Sequence, residues 1–142
     1  MELAEFVRFM RRSRLAVQAS LSTETGPQAA VVGIAISDTG EIVFDTLGDT
    51  RKAQNLRRDP RIALVIGWDE ERTVQYEGSA DEPRGAELAR LKALYFSVFP
   101  DGREREHWAG ITYFRVRPVW LRYSDFTGAE PGSAELRFPA PE

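Results

Sequence analysis

A small antiparallel β-barrel with helices attached is the fold the sequence predicts, and three observations lead to it. The chain of 142 residues, 42% hydrophobic and 29% charged, has the size and composition of one globular domain. Such a chain buries roughly 70% of the surface its unfolded form exposes. About six β-rich runs, separated by turn sequences, follow one another mostly without an intervening helix, as hairpins do. Regular alternation of strand and helix, which a doubly wound parallel sheet requires, is absent. Six such strands and two or three short helices cannot cover both faces of a flat sheet. Closing the sheet encloses a core and removes its edges.

Taken in order, Leu3, Phe6, Val7 and Met10 recur at i, i+3, i+4 and i+7 with Arg8, Arg11 and Arg12 opposite. This is an amphipathic helix of about ten residues. From Leu15 the period falls to two. LAVQASLS, QAAVVGIAIS and EIVFDTL read as strands separated by TETGP and SDTG, a meander of consecutive hairpins. TRKAQNLRRD is a short helix stopped by Pro60, which turns Asp59 away from helical geometry. RIALVIGW and TVQYEGSADE are two further strands bridged by the polar turn DEER. PRGAELARLKALYFSV is the second clear helix, with Pro83 in its first turn and Leu88, Leu91, Ala93, Leu94 and Tyr95 in an apolar stripe. After the loop PDGREREHWAG, ITYFRV alternates as a strand, Pro118 interrupts it, and VWLRYS follows as a strand or its continuation. From Thr127 onward the Pro- and Gly-rich residues predict a loosely held tail, so the domain is expected to span residues 1–126 and the tail 127–142.

Composition excludes several chemistries. With no cysteine there is no disulfide, thiolate metal site or cysteine nucleophile. The single histidine, His107, excludes a multi-histidine metal site within one chain, and no metal is expected. His107 has no partner at a recognised catalytic spacing and reads as a surface or loop residue, and no G-x-S-x-G elbow exists. No apolar run approaches the roughly 18 residues of a membrane span. The opening MELAEFVRFM lacks a basic start and an apolar stretch, so the cytosol is the expected location. A net charge of -3 argues against broad nucleic-acid contact, which leaves Arg8, Arg11, Arg12 and Arg14 as a solvated basic face. Trp68, Trp108 and Trp120 are expected in the core, with shielding of a bound ring as the alternative. Asp69 and Glu70 lie in a turn and serve solubility.

The segment that carries chemistry is Phe44 to Leu56, FDTLGDTRKAQNL. A strand runs through a turn at Gly48 into a helix opening at Thr50. The free amides of a first helical turn, aided by the dipole, favour an anion. Thr50 can cap or donate its hydroxyl, Arg51 can fork onto phosphate oxygens, and Lys52 adds a compact charge. Of the 19 basic residues only Lys52 and Lys92 are lysines, so a lysine here invites a reason. Asp49, adjacent and negative, opposes an anion unless its side chain turns away. The spacing alone leaves two readings open: an anion site, or a capped helix whose cations are solvated.

The run from Gly26 through Gly78 resembles the pyridoxamine 5'-phosphate oxidase-like family of FMN-binding split barrels. The resemblance rests on the Gly-Pro turn, VFDT, LGDTRKAQNL, DPRIAL, the closing GW and TVQYEGSA, in order and at matching spacing. FRVRPVWLRYSDF also resembles the family's closing strands. The resemblance implies a six-stranded antiparallel split β-barrel that pairs as a homodimer, with FMN in each of two clefts between the chains. Thr50, Arg51 and Lys52 match the family's phosphate-binding Ser/Thr-Arg-Lys. Asp45 and Thr46 match a strand-end pair that touches the ribityl and phosphate portion of the flavin. Val31 and Val32 match a strand whose backbone lies along the isoalloxazine ring, and Thr73 matches a polar position facing that ring. Tyr123 falls near the position of an aromatic of the partner chain that packs by the ring in the family.

Departures from the family pattern bear on the reaction. Ala29 stands where the vitamin-converting oxidases place an arginine for the flavin phosphate, and Ile34 where they place a substrate-contacting lysine. GAELARLKALYFSVF offers no Tyr, Arg and Ser cradle for a substrate phosphate, and no Arg-x-His follows Tyr123. A dianionic substrate would lie desolvated without partners, at a cost of several kcal/mol, so oxidation of pyridoxine or pyridoxamine phosphate is not expected. The expected function is hydride or electron transfer by bound FMN between a reduced donor, such as a reduced nicotinamide nucleotide, and a small organic acceptor, with no catalytic side chain assigned. A deazaflavin in place of FMN, or flavin binding for storage, sensing or stress without turnover, are the alternatives.

Overall fold

The computed structural model of the chain describes residues 1–139. It contains α1 (Leu3–Met10), β1 (Leu15–Ser22), β2 (Gly26–Gly33), β3 (Ala35–Ile36), β4 (Ile42–Leu47), α2 (Arg51–Arg58), β5 (Arg61–Ile66), β6 (Arg72–Asp81), α3 (Gly85–Val98), α4 (Gly102–Arg105), β7 (Ile111–Asp125) and β8 (Gly132–Arg137). The strands form one antiparallel sheet in the order β2-β1-β5-β6-β7-β4-β3, with β8 added to β7.

The two ends of that order, β2 and β3, are consecutive in the chain and separated only by Ile34. The sheet therefore curls until its ends meet, and it is closed by covalent chain instead of a last ladder, as in a split barrel. Ile34 is 1% exposed and sits in the barrel core. This corrects the expected meander. QAAVVGIAIS is two strands at opposite ends of the sheet; β2 pairs with β1, and β3 pairs with β4. The Ile34 amide bonds to the Arg14 carbonyl at 2.9 Å and the chain then crosses the opening. A run that is apolar on both faces carries no periodic mark of such a hinge.

ITYFRV and VWLRYS form a single 15-residue strand, β7. Pro118 is tolerated within it because the register shifts opposite, between Glu77 and Gly78, leaving Val119 without a direct partner on β6. Gly78 is required there, since a Cβ would fall 2.5 Å from the Arg117 carbonyl oxygen. The expected loose tail contains β8, which pairs with Trp120–Asp125 of β7. Phe138 packs on the core and donates its amide to the Val119 carbonyl at 3.0 Å. An available strand edge recruits a segment whose composition alone reads as coil.

Period-2 alternation divides the protein into two cores. Ile42 and Phe44 of β4 point into the barrel with Phe6, Met10, Ile66, Tyr76 and Leu121. Val43 points the other way, under α3, with Leu91, Tyr95, Phe96 and Tyr113. Each such buried side chain contributes about 1.5–3 kcal/mol. Two expectations about surface residues are corrected. Trp68 and Trp108 are 52% and 54% exposed, because both sit in connections outside the ladders. Of the four arginines expected as a solvated face, the two flanking residues Arg11 and Arg14, which follow α1, are staples: Arg11 donates twice to the Ile36 carbonyl at 3.0 and 2.8 Å, and Arg14 donates to the Val98 carbonyl at 2.9 Å.

Candidate functional site

The turn after β4 delivers α2 to the mouth of the barrel beside β2. Thr50 is the N-cap, in extended geometry, and its Oγ1 accepts from the Ala53 amide at 3.3 Å. The amides of Arg51 and Lys52, earlier in the same turn, are left facing outward by helix geometry. Lys52 Nζ donates to Thr46 Oγ1 at 3.4 Å, Thr46 Oγ1 lies 3.1 Å from Thr50 Oγ1, and Thr50 Oγ1 donates to the Leu47 carbonyl at 2.9 Å. Thr46 reaches this chain because it follows Ile42 and Phe44 on the barrel-facing side of β4.

Lys52 has no carboxylate partner among the described residues, whereas Lys92 is paired with Glu106 at 2.5 Å. Burial alone holds the Lys52 ammonium below its ordinary pKa. A desolvated cation without a counter-ion is a site prepared for an anion. Arg51 is exposed beside it, and the Asp49 side chain is exposed on the turn. A cavity of about 340 Å³ opens here, lined by Arg51, Lys52, Ala29, Ala30, Gln28 and Gln18. β2 forms this wall and pairs with β1 alone, so its other edge faces the opening.

Of the residues expected to form the site, the structure brings together Thr46, Thr50, Arg51 and Lys52. Val31 and Val32 continue the β2 wall: Val31 faces out and is 60% exposed, while Val32 is buried in the core. Asp45 does not join them. Strand alternation points it under α3, where its Oδ1 accepts from Tyr95 Oη and its Oδ2 from Arg105 Nε, both at 3.0 Å. The Tyr95 hydroxyl is driven up by burial and by this carboxylate, and burial, with Asp45 adding, pushes Tyr113 up to about 12. Thr73 and Tyr123 lie on the β6–β7 ladder, opposite Ser124 and Val74. Neither lines the α2 cavity. The Tyr123 ring packs on Phe9 at 5.2 Å between centroids, and Thr73 Oγ1 is buried without a partner.

Sequence reasoning missed the polar interior of β1. Ser20 and Gln18 are both buried. Asn55 Nδ2 donates to Ser20 Oγ at 3.1 Å and to Gln28 Oε1 at 2.9 Å, which ties α2 to the barrel wall. The signal was present in LAVQASLS, where one face carries only Gln and Ser beyond Ala16. The Tyr95 and Arg105 clamp on Asp45 had no signal, since both residues lie far along the chain.

The cation-and-hydroxyl cluster fits the phosphate end of a nucleotide-like cofactor, since among the described residues Lys52 has no carboxylate partner and the Arg51 guanidinium lies beside it on the same cavity. Comparison with known proteins agrees with the fold around it. The family pattern described as pyridoxamine 5'-phosphate oxidase matches residues 3–125. The pyridoxine/pyridoxamine 5'-phosphate oxidase of Cyanothece sp. is 38% identical over 92 residues, 64% of this chain and 41% of that protein. The chain thus spans about two fifths of the length of the curated relatives it matches. A heme binding protein from Mycobacterium smegmatis superposes with a TM-score of 0.78 at 23% identity, over 94% of this chain and 58% of that one. A heme storage protein from Vibrio cholerae gives 0.70 at 15% identity, over 83% and 91%. The ordered motifs, the split barrel closed at Ile34 and the match over residues 3–125 together show that this chain belongs to the pyridoxamine 5'-phosphate oxidase family.

Proposed function

We propose that the protein binds FMN non-covalently as a homodimer and transfers hydride or electrons between a reduced donor and a small organic acceptor. The observation that carries this reading is that Arg51 and Lys52 line one cavity, with Lys52 bonded to the Thr46–Thr50 hydroxyl pair and no carboxylate paired to the lysine among the described residues. Arg51, Lys52 and the first amides of α2 would hold the phosphate, and the free edge of β2 at Val31 would flank the ring. FMN, when bound, supplies the redox chemistry. The chain's own part is to bind, orient and shield, which accords with a site that holds no nucleophile–base pair.

The homodimer draws support from the outer face of the sheet. Leu15, Val31 and Val65 are exposed on neighbouring strands β1, β2 and β5. A contiguous apolar face of this kind on one side of a sheet is what a partner covers. A second copy seated there would bring a second set of side chains to the open edge of β2.

Two further readings each have an observation behind them. Solved structures of the same fold include heme binding and heme storage proteins. The residues that would take a vitamin phosphate are replaced, with Ile34 buried in the core, which favours binding without turnover. One experiment separates them. The purified protein, loaded with FMN, is mixed anaerobically with reduced nicotinamide nucleotides while its absorption spectrum is followed. Bleaching of the flavin bands supports the oxidoreductase, and an inert yellow protein supports the flavin carrier. Failure to bind FMN, with a heme spectrum acquired on incubation with hemin, overturns the flavin reading.

A further inference from the structure

β2 leaves one edge free along the opening of the barrel, and the two ends of that edge meet different chemistry. At Gln28, Ala29 and Ala30 lies the α2 cavity. At the other end Gly33 lies against the ring of Phe99, the residue that closes α3. A Cβ at position 33 would fall 2.8 Å from Phe99 Cζ, so glycine is what lets the ring sit there. Tyr95 stacks on Phe99 with centroids 5.0 Å apart, and the Tyr95 hydroxyl is in turn held by Asp45. The Arg14 guanidinium lies over the same Phe99 ring, 4.7 Å from its centroid, and donates once to the Val98 carbonyl at 2.9 Å.

An exposed arginine ordinarily samples many rotamers and settles beside a carboxylate. Arg11 and Arg12 do so, with Asp38 and Glu70. Arg14 does not. Among the described residues it has no carboxylate partner, and the stack on Phe99 and the Val98 carbonyl fix its position instead. A guanidinium carries several N–H donors, and here a single bond engages them. Those donors lie in one plane, a fork that matches the two oxygens of a carboxylate. From Ala30 to Gly33 is about 10 Å of strand at roughly 3.3 Å per residue, comparable with the long axis of a fused three-ring system. Resting on the flavin reading above, with the phosphate held at α2 and the ring beside Val31, we infer that Arg14 is a specificity-determining residue that binds a carboxylate of the small molecule exchanging electrons with the ring. The class is a small organic acid. One guanidinium balances one carboxylate, whereas a phosphate dianion would keep a charge uncompensated.

The experiment uses the FMN-loaded protein and three probes built on one ring: benzoate, benzamide and phenyl phosphate. Each is titrated into wild type and into Arg14→Met, which keeps an apolar stem on Phe99 and removes the charge. The absorption bands of the bound flavin and the heat of binding are followed. Wild type is expected to bind benzoate about 5- to 20-fold more tightly than benzamide, the range of a charge-assisted hydrogen bond at an exposed site. Phenyl phosphate is expected to bind no better than benzoate. In Arg14→Met the benzoate affinity is expected to fall to the benzamide level, while benzamide and FMN affinities change by less than about twofold. A wild type without the preference, a preference that survives in the variant, a tighter fit for phenyl phosphate, or no binding of any probe overturns the inference. So does a variant that sediments as a monomer where wild type is a dimer, which assigns the guanidinium to contact between copies. Wild-type protein that binds no FMN removes the flavin reading and this inference with it, a pattern distinct from the others. Should Arg14→Met fail to fold, Arg14→Lys, a point charge without the fork, carries the same comparison, with the benzoate preference expected to fall about threefold or more.

Discussion

Replacing Lys52 with methionine tests the proposed phosphate site at its half-buried cation. Among the described residues the ammonium has one hydrogen-bond partner, Thr46 Oγ1 at 3.4 Å, and burial holds its pKa below 10.5. Removing the charge therefore costs the free protein little, and the flavin-free variant should melt at or above the wild-type temperature. With a phosphate bound, the same ammonium makes a charge-assisted hydrogen bond worth about 1.5–3 kcal/mol, so Lys52→Met should raise the FMN dissociation constant about 10- to 150-fold. Riboflavin, which lacks the phosphate, serves as the control and should change by less than about twofold. The pH dependence has a definite sign. Lys52 binds its proton less tightly in the fold than in the unfolded chain, so the destabilisation is full at low pH. It is relieved as pH rises through the folded pKa toward 10.5. Phosphate binding favours the charged form, so FMN affinity should fall across that same rise in wild type and stay flat in the variant. Fluorescence titration against pH reads both. Equal changes for FMN and riboflavin, or a marked loss of stability in the flavin-free variant, would refute the assignment.

Other outcomes follow from neighbouring groups. Asp45→Asn breaks the clamp on Tyr95 and Arg105 and should lower stability by about 2–4 kcal/mol in urea unfolding. FMN affinity should stay within about twofold, and a tenfold loss of affinity at unchanged stability would place Asp45 on the ligand instead. Arg115 is 6% exposed and donates to Asp81 at 2.9 and 2.6 Å and to Glu87 at 2.9 Å, with Glu41 at 3.8 Å. Arg115→Met leaves those carboxylates facing one another and should cost about 3–5 kcal/mol near pH 7; an unchanged urea midpoint would show that the cluster holds nothing. Val65→Glu places a charge on the apolar outer face of β5 and should convert a dimer to monomers in sedimentation velocity, with a parallel loss of FMN affinity. A variant that still sediments as the wild type would move the interface elsewhere.

Much of this protein was legible in its residues because the relevant signals are local. Period two in LAVQASLS and RIALVIGW, the Thr50 cap and Pro60 are properties of short segments, and each element they define is present. The cation cluster was legible for the same reason: Thr50, Arg51 and Lys52 are adjacent, and a helix start has its amides wherever it sits. What segments cannot encode is which face of a strand looks inward. β1 is apolar on Leu15, Val17, Ala19 and Leu21, yet the barrel turns Ala16, Gln18 and Ser20 to its interior. The same ambiguity hid the hinge at Ile34 and divided Asp45 from Thr46, which are neighbours in the chain and on opposite faces of β4.

The sequence by itself determined the strands, the helix starts and the place where an anion would be welcome, because these depend on residues within a turn or two of each other. Only the tertiary structure decided that, among the described residues, Lys52 stands without a carboxylate and Gln18 Oε1 is buried unpaired beside it, and that Asp45 is taken by Tyr95 and Arg105. The reason is physical: pairing and burial are set by how a curled sheet brings distant residues together, and neither is a property of any one segment.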